Sequence, residues 1–274
     1  MTVFDEKKRF SFGDNWSNFL TVLDAERIVE AERSLRFMLN VDALNDKTFL
    51  DIGSGSGLFS LAARSLGAKV HSFDYDPKSV ACTEELRRRY FPHDSEWKVE
   101  QGSALDATYL QSLGKFDVVY SWGVLHHTGA MWLGIENAIA RVANGGKLYL
   151  AIYNDQGIKS HIWWLVKFIY NKLPRPINMI YAYLLGLVAN IINILKYTIK
   201  LQPMTAISPL LGYKKNRGMS LSHDLIDWMG GFPYEFARYD SLMEYAKTRG
   251  FTLERGEEAT SLGCHQMVFR KDLN

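Results

Sequence analysis

Apolar and polar positions along the chain alternate between two periods. Residues 14–40 carry Phe19, Leu20, Val22, Leu23 and Ile28 at a spacing near 3.6, which predicts a helix with Asp14 or Asn15 as its cap. Short apolar runs of strand length at 48–51 and 68–73 then begin an alternation of strand and helix that continues to about Ile152. That alternation predicts an α/β fold with a parallel sheet. Near the C-terminus a helix is expected at 239–249, followed by strands at 251–254 and 266–269. Between these two regions the pattern changes. Ile177 through Leu195 is uncharged over 19 residues, close to the length that crosses a bilayer. The expected organisation is a core over 1–153, a basic, apolar, mostly helical insertion over 154–235, and closing elements of the core over 236–274.

Charge sharpens the boundary of that insertion. From Gln156 through His223 there is no Asp or Glu, and there are nine Lys and Arg residues. The rest of the chain holds 23 of the 32 bases against all 30 acids, a formal −7 hidden beneath the overall +2. The two cysteines, Cys82 and Cys264, have neither metal-ligand spacing nor a disulfide framework, so a reducing, cytoplasmic setting is expected. The N-terminal residues Asp5-Glu6-Lys7-Lys8-Arg9 mix both signs with no apolar core behind them, unlike a secretory signal.

The densest chemical signal is Asp51-Ile52-Gly53-Ser54-Gly55-Ser56-Gly57, where a strand ends in an acid and three glycines alternate with small residues. Such a turn feeds a helix whose N-terminus faces a ligand, and its glycines let that ligand approach the main chain. Asp74 ends the second strand, 23 positions after Asp51, and is placed to accept hydrogen bonds from ribose hydroxyls. Asp76 before Pro77 is the expected cap of the following helix. A dinucleotide turn requires G-x-G-x-x-G, yet the third-glycine position counted from Gly53 is Leu58. A carboxylate at Asp51 suits a cationic ligand better than a pyrophosphate.

Asp51 with Gly53, Gly55 and Gly57, followed by Asp74, resembles the first motifs of the class I S-adenosylmethionine-dependent methyltransferases. The resemblance continues through Trp97–Asp106, Lys115–His127 and Asn144–Ile152, and covers 48–153 well. Ser103 stands where many members have an acid, and Asn144 replaces the usual proline. The family implies a Rossmann-like, seven-stranded, mostly parallel sheet with helices on both faces and an antiparallel C-terminal hairpin. The insertion would follow the fifth strand. It also implies S-adenosyl-L-methionine as cofactor, held by Asp51, Gly53, Gly55, Gly57, Asp74, Tyr75, Ser103, Ala104 and Trp122, with Trp16 closing the pocket or, as the alternative, packing on the sheet.

Methyl transfer from a sulfonium is an in-line displacement in which alignment dominates, and an oxygen acceptor gains further from a general base. His126 and His127 follow the fourth strand at the edge where such sheets bind ligands, and are the candidate bases. Packing of the loop or of the cofactor is the competing role. Tyr153 and Asn154 leave the fifth strand at the same edge. Arg217, Asp227, Trp228, Tyr234 and Glu235 form a second polar and aromatic group around Gly230-Gly231 and Pro233. These seven are candidate acceptor contacts, suited to a sugar or polar head group, with a structural anchor for the insertion as the alternative. His265 has no partners in the sequence that would make it a metal ligand, and no metal is expected.

The acceptor is expected to be a small or lipid-linked molecule, methylated on oxygen. For the insertion, three readings stand: a buried lid or homodimer contact, a helix at an anionic membrane surface through 156–223, or a true span. Asn190, Asn193, Tyr197 and Lys200 share one helical face with basic character, which suits an interfacial helix and an enzyme peripheral to the inner face of a membrane. Nucleic acid is disfavoured because the insertion's bases lie among long apolar runs. Two rival functions remain, a nicotinamide-dependent oxidoreductase and a catalytically silent cofactor-binding subunit. The absent third dinucleotide glycine argues against the first.

Overall fold

Strand β1 (Thr48–Ile52) carries apolar side chains toward both faces, and this places it at the centre of the fold. Phe49 and Leu50 are adjacent in sequence and fully buried, yet they pack into different layers because side chains alternate across a strand. Removing a ring the size of Phe49 from water contributes roughly 2–3 kcal/mol. The computed structural model describes residues 16, 20–21, 23–199 and 221–273.

Strand β1 pairs in parallel with β2 (Lys69–Asp74) on one side and with β4 (Phe116–Trp122) on the other. Beyond β2 lies β3 (Trp97–Gln101), and beyond β4 lies β5 (Val142–Tyr153), both parallel. The C-terminal hairpin of β6 (Phe251–Glu257) and β7 (Cys264–Lys271) closes the sheet, with β7 antiparallel to β5. The order β3-β2-β1-β4-β5-β7-β6 gives seven strands, mostly parallel, as the resemblance implies. The order reverses between β1 and β4, so a crevice opens beyond their C-terminal ends, where open α/β sheets bind ligands.

Helices cover both faces. On one, α1 (Ala25–Leu39), α2 (Leu58–Ser65) and α3 (Pro77–Tyr90) pack on Phe49, Val70, Trp97 and Val118. A short α4 (Ala107–Ser112) follows β3. On the other face, α5 (Met131–Ile139) and the later helix Tyr239–Lys247 pack on Leu50, Ile52, Val119 and Leu150. Asp76 caps α3, accepting the Lys78 N–H at 2.9 Å with Pro77 in the first turn, as expected. The single helix expected over 14–40 is interrupted. Trp16, Leu20 and Thr21 are helical, but Asp24 takes an extended backbone and accepts the Arg27 N–H, so α1 starts at Ala25. A local cap outweighs an apolar spacing that runs across it. Asp14 and Asn15 lie outside the described residues.

The chain divides into two compact units, 1–160 with 233–274, and 161–232. Helix α6 (Ile158–Lys172) leads into the second, which also holds α7 (Ile177–Ile199) and α8 (Leu221–Gly230). The closing helix Tyr239–Lys247 is α9. The second unit's own core is small: Tyr170, Ala182 and Met229, with Trp163, Leu185 and Leu225 packed against them. Lys167 is fully buried there. Its Nζ donates to the carbonyls of Trp228 and Gly231, and Asn171 donates to that of Met229, so two side chains one turn apart on α6 satisfy the C-terminal end of α8. Desolvation pushes the Lys167 amine down to about 7.

Candidate cofactor and acceptor site

The turn after β1 is held by the strand beside it. The N–H groups of Gly53 and Ser54 both donate to Phe73 O, at 2.9 and 3.0 Å. Gly53, Gly55 and Gly57 have φ of +79°, +56° and +82°, a region where a Cβ is strained. Space reinforces the requirement at two of them. A Cβ on Gly53 would stand 2.4 Å from Val124, and one on Gly57 would stand 2.8 Å from the Thr83 Cα, which is backbone. The Trp16 ring lies so close to Gly55 that a Cβ there would come within 3.0 Å of it. Gly57 is also the N-cap of α2 and has no side chain to cap it, while Ser56 Oγ accepts the Leu58 N–H at 3.4 Å.

Asp74 is tied into this turn. Its Oδ2 accepts the Gly55 N–H and its Oδ1 accepts the Asp76 N–H, both at 2.9 Å. Burial pushes its carboxyl up to about 6, against the lowering effect of those N–H donors. Asp51 is 2% exposed. Ser60 Oγ donates to it at 2.5 Å, Ser72 Oγ stands 2.7 Å from Ser60 Oγ, and Trp97 Nε1 donates to Ser72 at 2.9 Å. Burial pushes the Asp51 carboxyl up to about 7. The Ser60 hydrogen bond opposes that rise and the charge of Asp74 adds to it. Among the described residues no cation contributes to either carboxyl. A turn with two carboxylates and no base suits neutral hydroxyls and a cationic ligand, and it disfavours a pyrophosphate. These residues therefore fit S-adenosylmethionine, with its ribose and cationic methionine part.

Farther along the same edge, Gly102 N–H donates to Asp74 O, Ser103 Oγ accepts the Leu105 N–H, and Ala104 O accepts from Asn137 Nδ2. Tyr75 and Trp122 are both exposed, and the Trp122 indole donates to Gln266 at 3.0 Å. Ser54, Thr83, Ser60, Ser72 and Trp97 were not singled out from the sequence. The serines alternating with glycines are the signal for Ser54, whose hydroxyl pairs with Thr83 Oγ1 at 2.9 Å. The others come from separate helices and strands, and no local pattern joins them.

The histidines differ in environment. His126 is fully buried, and its Nδ1 accepts the Tyr153 N–H at 3.3 Å. Its ring lies 3.8 Å from that of Tyr153. His127 is half-buried and stands with Nδ1 2.7 Å from Pro233 O. A carbonyl only accepts, so the proton of neutral His127 sits on Nδ1 and the lone pair on Nε2. Tyr153 touches both imidazoles and the ring of Tyr234. Burial raises its phenol pKa far above normal, and raises that of Tyr234 to about 12.

The other expected acceptor contacts have different positions. Asn154 directs its amide to Ala259 O and Ser261 O, pinning the loop between the last two strands. Glu235 accepts the Met131 N–H with both oxygens, which caps α5 where Ala130 has no side chain to do so. Trp228 belongs to the second unit, with the Lys167 ammonium 3.9 Å from its ring centroid. Arg217 and the side chain of Asp227 lie outside the described residues. His265 is buried in β7 and its Nδ1 accepts the Ala259 N–H. Among the described residues no cluster of His, Cys, Asp and Glu could hold a metal ion.

Residues 50–148 match the family of methyltransferase domains. The chain is 40% identical over 115 residues to a ribosomal protein L11 methyltransferase of Prochlorococcus marinus, spanning 42% of this chain but only 38% of that relative. It is 24% identical over 180 residues to a ubiquinone biosynthesis O-methyltransferase of Coxiella burnetii, covering 62% of this chain and 71% of the relative. In three dimensions it is similar to magnesium protoporphyrin IX methyltransferase of Synechocystis PCC 6803, solved with bound SAH. There the TM-score is 0.53 and the identity 14%, over 89% of this chain and 83% of the other, a likeness of fold. Residues 50–148 of this chain thus match a methyltransferase domain, in a fold similar to that of solved S-adenosylmethionine-dependent methyltransferases.

Proposed function

We propose that this protein transfers a methyl group from S-adenosylmethionine to the oxygen of a small or lipid-linked acceptor, such as a sugar or polar head group. The observation that carries this reading is the glycine turn locked to Asp74, with the His127–Tyr153 cluster beyond the neighbouring strand. In this reading Asp74 accepts from the ribose hydroxyls, and Asp51 faces the cationic methionine part. Gly53, Gly55 and Gly57 admit the ligand to the main chain, and Trp16 covers it. Gly102, Ser103 and Ala104 border the adenine, Ser103 through its backbone, with Tyr75 and Trp122 at the exposed rim.

The cofactor supplies an activated methyl on sulfur. With the cofactor bound, His127 would take the acceptor's hydroxyl proton at Nε2 as that oxygen accepts the methyl group. The Pro233 carbonyl holds the imidazole in the tautomer this requires. His126 is a positioning residue that orders the loop through the Tyr153 N–H. Tyr153, protonated at neutral pH, offers an aromatic face to the acceptor, and the buried Tyr234 packs behind it. The 24%-identical relative carries an O-methyltransferase name, which favours oxygen. We place the protein in the cytoplasm, peripheral to the inner face of a membrane.

The test is transfer of radiolabelled methyl to cell extract divided into lipid and aqueous fractions, followed by base hydrolysis of the product. Label in a small or lipid molecule, with an ester or ether linkage, is expected. Label confined to protein or RNA refutes the acceptor assignment.

A further inference from the structure

Helix α7 runs 23 residues, roughly 33 Å at 1.5 Å per residue. One face packs within its own unit: Ala182 is fully buried, and Leu225 of α8 lies on Gly186 near the middle of the helix. The opposite face is bare. Ile180, Leu184, Leu187, Ile191 and Leu195 are each about half exposed, and the exposed apolar positions cover roughly half of the circumference at 100° per residue. On α6, Ile162, Leu165 and Ile169 form a second exposed stripe at helical spacing.

Two features choose the occupant. The first is charge. The segment from Gln156 to His223 has no acid, and Lys172 and Arg175 precede α7 while Lys196 lies in its last turn. Their long stems can lie along apolar surface while the cationic heads reach out of it, a match for anionic headgroups. The second is width. A seam between two helices needs a narrow stripe, whereas a boundary between water and lipid wets half of a helix that lies in it. A spanning orientation conflicts with α8. Leu225 meets α7 at mid-length, so spanning would draw α8, with the Lys167 amine on its C-terminal carbonyls, into the hydrocarbon.

We propose that α7 lies in the plane of an anionic phospholipid surface, immersed to about its axis, with its basic ends against the headgroups. The proposal deepens the peripheral-membrane part of the function above and is independent of methyl transfer. Vesicle binding needs no cofactor, so catalysis and docking fail or hold separately.

The full chain is sedimented with vesicles of phosphatidylcholine alone and of phosphatidylcholine with phosphatidylserine, at low and high salt. Binding to the anionic vesicles, weakened by salt, is expected. Replacing Lys196 with Gln lowers partitioning roughly five-fold. The triple change Leu184→Glu, Leu187→Glu, Ile191→Glu lowers it ten-fold or more, with thermal unfolding unchanged because these side chains are exposed. A polarity-sensitive dye on Leu187→Cys shifts to the blue with anionic vesicles, and the same dye on Asn193→Cys, about 120° round the helix on the side of Ala182 and Gly186, does not. Absence of binding at low salt overturns the proposal. So does a lipid-free dimer that the triple change dissociates, and so does a blue shift at both dye positions, which marks a span.

Discussion

The most distinctive consequence of the site is that cofactor binding should release protons near neutral pH. Asp51 is 2% exposed, has the Ser60 hydroxyl as its hydrogen-bond donor, and among the described residues has no cation to offset its charge. Its carboxyl, pushed up to about 7, stays largely protonated in the free protein below neutrality. The sign follows from linkage. A carboxyl whose pKa rises on folding lends stability that is present below about pH 4 and is lost as pH climbs through about 7. For a shift of this size the loss is on the order of 4 kcal/mol. A ligand that brings a cation to Asp51 reverses the penalty by ionising it, so affinity increases with pH over the same window. With the free carboxyl near 7 and the bound carboxyl ionised throughout, the Kd falls roughly thirty-fold between pH 5.5 and pH 8. Calorimetric titration with S-adenosylhomocysteine reads this directly, because that ligand's own groups do not titrate in the window. Run at pH 6 in two buffers of different ionisation enthalpy, it should report release of about one proton, plus a smaller share from Asp74. Asp51→Asn removes the Asp51 share and raises the stability of the free protein at pH 8. A Kd that is flat from pH 5.5 to pH 8, or proton uptake on binding, refutes the reasoning.

Other substitutions separate the roles assigned to neighbouring residues. Asp74→Ala removes two charge-assisted acceptors, each about 1.5–3 kcal/mol, and should weaken S-adenosylhomocysteine at least a hundred-fold; calorimetry showing intact affinity removes Asp74 from the ribose site. Gly57→Ala adds left-handed strain and a contact with the Thr83 backbone, and should cost about 2–4 kcal/mol in urea unfolding; an unchanged midpoint contradicts the strain. His127→Asn should lower turnover by about 10²–10⁴-fold and abolish the acidic limb of the pH–rate profile. His126→Asn should instead lower the melting temperature, because a buried Tyr153 N–H loses its acceptor; the reverse pattern would exchange their roles.

Much of the core was legible because each of its signals is local. The β1 run, the glycine turn and Asp74 lie within 27 residues, and strand periodicity with turn chemistry specifies them. The break before α1 was missed because apolar spacing persists across Asp24, while the decisive contact is one side chain with the Arg27 N–H. Asn154 stands at the edge where ligands bind, yet its amide serves a loop more than 100 residues away in sequence. Glu235 likewise reaches back across about 100 residues to cap α5. Neither partnership has a local trace. Helix α7 was recognisable as apolar and long, but its sequence does not state which side its own chain covers. Gly186 under Leu225 makes one face internal and leaves the other bare.

The central claim is that the Asp51 turn and Asp74 grip the adenosyl and amino-acid parts of S-adenosylmethionine, not a dinucleotide. Calorimetry of the wild type and Asp74→Ala, each titrated with S-adenosylhomocysteine and with NAD⁺, tests it most directly. Saturable binding of S-adenosylhomocysteine by the wild type alone, with no heat from NAD⁺ in either protein, is the predicted outcome. Binding of NAD⁺ by the wild type without any of S-adenosylhomocysteine would contradict the account.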